Sequence, residues 1–91
     1  MHILEAPTKP VTLEVLTTLG KRVLAEGRDQ FNLSEAARFV GCHAPSVRNW
    51  VTGPRGRVNL LALATALEVQ EVRVEKATRA GMFLTLVRKP S

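Results

Sequence analysis

Residues 33–52 read LSEAARFVGCHAPSVRNWVT and hold the strongest local structure signals in the chain. Asn32 can cap a short helix that begins at the next residue, in a loose capping box. Gly41 can take the left-handed conformation that ends a helix and turns the chain. Pro45 suits the first turn of a second helix, since its missing N–H has no helical partner there. The stretch therefore predicts two short helices joined by a tight turn.

The positions of small and apolar residues in this stretch match a helix-turn-helix. Two helices joined by so short a turn cross closely only where a small side chain lies at the contact, and Ala37 occupies that position. The residues expected to face inward are Ala36, Val40, Cys42, Val47 and Trp50. In a helix-turn-helix the second helix lies in the major groove of double-stranded DNA, so sequence-specific DNA binding is expected.

Three outward residues of the second helix are the expected readers of sequence. The Arg48 guanidinium can pair with a guanine edge and the Asn49 carboxamide with adenine, each giving about 1–3 kcal/mol of discrimination. Ser46 can contact either a base or a phosphate. The alternative for all three is an ordinary solvated helix surface. The motif favours base contact for Arg48 and Asn49.

The segment 41–50 resembles the turn and recognition helix of regulators of the Cro and phage-repressor type. The resemblance extends over residues 12–69 and implies a first helix, the two-helix motif and a following helix. Cys42 departs from the branched aliphatic residue usual in that family, and His43 from the small hydroxyl cap, so His43 is expected to face DNA. The resemblance implies that Ala44, Pro45, Ser46, Arg48 and Asn49 lie at base- or backbone-contacting positions. Together with His43, these are the expected base contacts.

Contacts to the DNA backbone are expected from residues flanking the recognition helix. Arg55 and Arg57 lie in a glycine-containing loop after it, where phosphate contact needs no sequence reading. The resemblance brings the start of the first motif helix, Asn32 to Ser34, close to a phosphate. Arg38 can also reach a phosphate, but a solvated position or a pair with Glu35 is the favoured explanation for it.

The rest of the chain predicts a mostly α fold with four helices and a C-terminal β-hairpin. The predicted elements are helices at 12–27, 33–40, 44–52 and 60–68 and strands at 70–77 and 82–88. Thr12 and Asn59 are the expected caps of the first and last helices, and Gly20 predicts close approach of another helix. The division is an extended arm (1–11), the helix-turn-helix domain (12–69), and the hairpin with its tail (70–91).

The second strand of the predicted hairpin is apolar on both faces. A two-stranded ribbon alone cannot bury both, so one face is expected to cover the helices and the other to meet a second chain. In the Cro-like branch a terminal hairpin serves dimerisation, which agrees with this expectation. The expected dimer contacts are Met82, Phe83, Leu84, Leu86 and Val87.

Composition supports a small binding protein more than an enzyme. The chain has 91 residues and a formal net charge of +5, which suits a polyanionic partner. Its single cysteine permits no internal disulfide, and the N-terminal residues lack the pattern of a signal peptide, so a cytoplasmic protein without a membrane segment is expected. Cys42 and His43 are adjacent, but only His2 is left to complete a metal site. No cofactor, metal or catalytic residue is expected.

Two alternatives to a homodimeric repressor on a palindromic operator stay open. The segments 34–38 and 47–50 also resemble excisionases and regulators of the mercury-resistance type, winged proteins whose hairpin touches the minor groove or backbone. The predicted helix after the motif favours the Cro-like interpretation. A protein-interaction module that binds through the apolar hairpin is the second alternative.

Overall fold

A computed structural model describes residues 8–77 and 81–90 of the chain. Over these residues the protein is mostly helical, with four helices and a three-stranded antiparallel sheet. Arg79 and Ala80, the expected hairpin turn, and residues 1–7 of the expected arm lie outside this range. In chain order the elements are α1 (Leu13–Ala25), β1 (Gln30–Asn32), α2 (Leu33–Val40), α3 (Ala44–Thr52), α4 (Gly56–Leu67), β2 (Glu71–Ala77) and β3 (Gly81–Val87).

The helices of the central motif end where their local signals predict. The Asn32 carboxamide oxygen accepts from the backbone N–H groups of Ser34 at 2.8 Å and Glu35 at 3.1 Å. Gly41 has a φ of 80° and stops α2 in the left-handed conformation. Because these signals need no distant contact, the predicted bounds of α2 and α3 are confirmed.

Close packing of α1 against α4 explains the glycine inside α1. Gly20 is buried, and a Cβ placed on it would come within 2.6 Å of a Leu67 methyl carbon. Thr12 caps the helix as predicted, since its hydroxyl accepts from the Val15 N–H at 3.1 Å. The expectation that Gly20 marks a close helix contact is confirmed.

The predicted start of α4 is wrong. The helix begins at Gly56, so Asn59 lies inside it and is not its cap. The Asn59 side-chain amide instead donates to the Trp50 carbonyl oxygen at 2.9 Å and ties α4 to α3. Gly56 is buried against the end of α3, and an added Cβ would lie 2.8 Å from the Val51 carbonyl carbon. The connection between α3 and α4 is therefore shorter than predicted and consists of residues 53–55.

Replacing Gly56 with alanine is expected to lower the free energy of unfolding by about 2 kcal/mol, because the methyl group would press on backbone that cannot rotate away. Chemical denaturation measures the change. Gly27→Ala is the comparison, since Gly27 has a φ of 78° and open space around it and reports backbone strain alone. If Gly56→Ala lowers the free energy of unfolding no more than Gly27→Ala does, the close approach of Gly56 to the end of α3 does not restrict the residue at position 56.

The sheet has a strand that the sequence did not predict. Strand β3 lies in the centre, with β2 on one side and β1 on the other, all antiparallel. In the register, Leu84 of β3 faces Phe31 of β1 and Val74 of β2. The two predicted strands are thus confirmed, but they belong to a three-stranded sheet instead of an isolated hairpin. Because β1 runs directly into α2, this sheet is joined to the helix-turn-helix.

Helices and sheet share one core, and this corrects part of the predicted dimer surface. Leu84 is 0% and Leu86 1% exposed, so neither side chain is available to a second chain. Met82 is half-buried and packs on the same side of β3 against this core. Phe83 and Val87 are also half-buried, but they alternate to the other side of the strand. The side chains buried in the core are Leu16, Leu19, Val23, Phe31, Leu33, Ala36, Ala37, Cys42, Val47, Val51, Leu63, Ala64, Leu67, Val69, Val72, Leu84 and Leu86.

The end of the N-terminal segment packs beside the turn of the motif. The Lys9 N–H donates to the Gly41 carbonyl oxygen at 2.8 Å, and Lys9 forms an isolated parallel bridge with Cys42. Cys42 is buried, as predicted for a small residue in the turn. In the described part of the chain, no helix combines the length and apolar character that crossing a bilayer requires.

Candidate nucleic-acid interface

The N-terminus of α3 lacks a side-chain cap, as the departure at His43 predicts. His43 is the N-cap residue, and its side chain makes no capping hydrogen bond to the helix backbone. The imidazole is exposed, with its Nδ1 atom 3.5 Å from the Ser46 hydroxyl. Pro45 has no backbone N–H, and the Ser46 N–H donates to the His43 carbonyl oxygen at 2.9 Å. The exposed imidazole, more than the helix backbone, is therefore the group that this helix end can offer to a phosphate or a base.

The outward face of α3 carries the polar side chains expected to read bases. Val47 and Val51 are buried and fix the inner face, and helical spacing then turns Pro45, Arg48 and Asn49 outward, where all three are exposed. The remaining expected base contacts lie at the edges of this face, with Ala44 half-buried and Ser46 exposed.

A second feature of α3 is the glycine that follows it. An added Cβ at Gly53 would collide first with the Asn49 backbone carbonyl oxygen and would also lie 2.7 Å from the Asn49 side-chain oxygen, so glycine permits the close turn at the end of the helix. The Thr52 hydroxyl donates to the Arg48 carbonyl oxygen at 2.7 Å and is thereby committed to the helix. Sequence reasoning did not single out Gly53, whose packing role depends on the local conformation.

The hairpin of β2 and β3 lies beside α3 and forms a groove with it. Arg48 of α3, Ser34 of α2 and Lys76 of β2 all line this groove. Along β2, Lys76 alternates to the same side of the sheet as Val72 and Val74, while Glu75 alternates to the other. Two basic side chains from different elements, Arg48 of α3 and Lys76 of β2, therefore line the groove. Its other lining residues are Leu33, Ala44, Gly81 and Met82.

At the start of α2, the Ser34 hydroxyl is more available to a phosphate than the backbone N–H groups are. Asn32 already accepts from the N–H groups of Ser34 and Glu35, so the cap uses two of the donors at this helix end. Ser34 and Arg38 are exposed and four residues apart, which puts them on one face of α2. Glu35 instead lines a cleft between α1 and α2.

Within residues 8–77 and 81–90, no carboxylate forms an ion pair with a basic residue of this surface. Among the described residues, the ion pairs join Arg22 and Arg28 to Glu26, and Arg73 to Glu71. Each of these pairs lies outside the groove. Among the described residues, the exposed basic side chains near α2, α3 or the groove that take part in no ion pair are Lys9, Arg38, Arg48, Arg55, Arg57 and Lys76.

The two arginines expected to clamp phosphates take different positions. Arg55 lies in the short turn between α3 and α4, next to the end of the recognition helix. Arg57 lies one residue inside α4, because that helix starts earlier than predicted. Both are exposed. The expected pairing of Arg38 with Glu35 is absent from the ion pairs of the described residues.

Lys76 and Lys9 are the basic residues of this region that sequence reasoning missed. In sequence Lys76 is one of several alternating charges in a strand, and only the strand order brings it to the groove with Arg48. Lys9 reaches the turn through its backbone bond to Gly41. Trp50, expected to face inward, is half-buried and also borders a shallow depression with His43, Ser46 and Asn49.

The described residues bring together no cluster of three or more His, Cys, Asp or Glu side chains that could hold a metal ion. No protein-family model, curated protein or solved structure matches the chain. The functional interpretation therefore depends on the geometry and chemistry of the surface itself.

Proposed function

We propose that this protein is a sequence-specific regulator that binds double-stranded DNA through α3. The observation that carries the proposal is the exposed face of that helix. Arg48 and Asn49 project outward there while Val47 and Val51 are buried, and Arg48 takes part in no ion pair among the described residues. A guanidinium with two parallel donors and a carboxamide with one donor and one acceptor, both on a short packed helix, suit the edges of bases in the major groove. Such a protein acts on DNA in the cytoplasm, and repression by blocking polymerase is its simplest mode.

Surrounding cations supply the sequence-independent part of binding. Arg38, Arg55 and Lys76 come from α2, the α3–α4 turn and the hairpin, so they can contact phosphates on different sides of α3. Each phosphate contact releases condensed counterions and makes affinity fall as salt rises. Together these contacts fix the register in which α3 meets the bases.

The position of the hairpin favours a role at the DNA surface. Two of its expected dimer contacts, Leu84 and Leu86, are committed to the core, and Lys76 lies in the groove beside Arg48. A hairpin placed this way resembles the wing of excisionases and mercury-resistance-type regulators, which favours a second candidate function: an architectural factor that bends DNA. The two candidates differ in the arrangement of their binding sites.

A binding selection from random duplexes, followed by titration at several salt concentrations, tests the proposal. A regulator is expected to enrich a two-fold palindrome whose half-sites are about 34 Å apart, or one helical turn. Direct repeats bound cooperatively would favour the architectural factor. Weak binding with no sequence preference and a steep salt slope would contradict both and leave a protein-interaction module.

A further inference from the structure

An exposed apolar stripe on α4 lies away from the groove. Leu61 is 70% and Val58 59% exposed, although α4 packs its other side against α1 and α3. With Leu13 of α1, which is 37% exposed, these side chains form a surface lined almost entirely by apolar atoms. Exposed leucine and valine grouped in this way mark a contact surface more often than isolated apolar residues do.

Residues of opposite charge lie at the two ends of this apolar surface, Arg57 at one end and Glu68 at the other. Arg57, Leu61 and Thr65 follow each other at intervals of four residues, so they share one outward line on α4, and Glu68 is the cap residue directly after the last turn, in the left-handed conformation. Arg57 and Glu68 are both exposed, and neither takes part in an ion pair of the described chain. They lie at opposite ends of α4, whose 12 residues span about 18 Å at 1.5 Å per residue.

We propose that the stripe of Arg57, Val58, Leu61, Thr65 and Glu68 pairs with the same stripe of a second copy, with the two α4 helices antiparallel. In an antiparallel pair, residues on the same edge of the two helices meet, and their order is reversed. Arg57 of each copy then faces Glu68 of the other, and Leu61 lies near the two-fold axis. Ala62 and Ala66, which also border the surface, permit a close approach of the helices.

The charge pattern favours a second copy of this chain over an unrelated protein as the partner. A two-fold interface requires a surface that is complementary to itself, and a base and an acid at opposite ends of one apolar line meet that requirement. A parallel pair would instead place Arg57 beside Arg57 and Glu68 beside Glu68. One helix of this length covers less than the roughly 800 Å² per partner of a standard interface, so dissociation constants of about 1–100 μM are expected.

Sedimentation equilibrium without DNA tests the dimer independently of the proposed function. The wild-type chain is expected to dimerise across a range of about 1–500 μM. Leu61→Gln is expected to weaken association about 30-fold or more, because each substitution is present twice at the centre of the interface. Phe39→Gln is the matched control on α2: Phe39 is 59% exposed, the net charge is unchanged, and wild-type association is expected.

A charge exchange tests the antiparallel geometry. Arg57→Glu and Glu68→Arg are each expected to weaken association about tenfold, and the double variant to recover to within about threefold of wild type. Circular dichroism of dilute samples checks that every variant is folded. A wild-type chain that stays monomeric, a Leu61→Gln variant that dimerises normally, or a double variant whose losses add would each overturn the proposal.

Discussion

Replacing Leu84 with alanine is expected to lower the free energy of unfolding by about 3–4 kcal/mol. Leu84 is 0% exposed on the central strand, with Phe31 and Val74 on the neighbouring strands, so the lost atoms leave a cavity that three strands cannot easily close. A domain of this size is stable by about 5–15 kcal/mol in total. Urea denaturation measures the loss, and the slope of the transition checks that unfolding stays two-state.

Leu61→Ala is the matched control for this prediction, because the same atoms are removed from a side chain that is 70% exposed. In dilute protein, where the proposed dimer is dissociated, it is expected to change the free energy of unfolding by less than about 0.5 kcal/mol. A small loss at Leu84 would mean that β3 does not contribute to the core.

The parts of the fold that sequence predicted well depend on local signals. Asn32 caps α2 with its own side chain, and Gly41 ends the helix by taking a left-handed conformation. Both effects involve residues within one helical turn. The bounds of α2 and α3 were therefore readable without knowledge of the rest of the chain, and so was the outward position of Arg48 on α3.

The parts that sequence missed depend on distant contacts. Strand β1 has three residues, too few for a detectable alternation, and it forms because Phe31 pairs with Leu84 far along the chain. Asn59 carries the chemistry of a helix cap, but its side-chain amide bonds the Trp50 carbonyl from inside α4. In both cases a tertiary contact decides between local conformations that the sequence alone leaves equally acceptable.

The same distinction applies to the candidate interface. Arg48 and Asn49 could be proposed from spacing, because a helix-turn-helix fixes which residues of its second helix face outward. Lys76 could not, because its position beside Arg48 depends on the strand order β1-β3-β2. The inclusion of Leu84 and Leu86 in the dimer surface failed for a related reason: an apolar strand does not reveal which of its faces the core will cover.

Arg48→Ala and Asn49→Ala are each expected to reduce affinity for the selected DNA site by about 5- to 150-fold, corresponding to about 1–3 kcal/mol per bidentate base contact. The loss should be confined to a defined base pair, with guanine preference lost for Arg48 and adenine preference for Asn49. Binding to a panel of single-base variants of the site measures this. Once the preferred base is replaced, the matching variant and the wild type should bind equally.

Arg73→Ala is the matched control, because it removes the same charge from a residue of β2 that is paired with Glu71 outside the groove. It should leave the order of preference among sites unchanged and alter affinity only slightly. Arg38→Ala should weaken binding to all sequences alike and reduce the salt slope by about one, as a phosphate contact does. If Arg48→Ala behaves like Arg38→Ala, α3 anchors the backbone and a different element reads the bases.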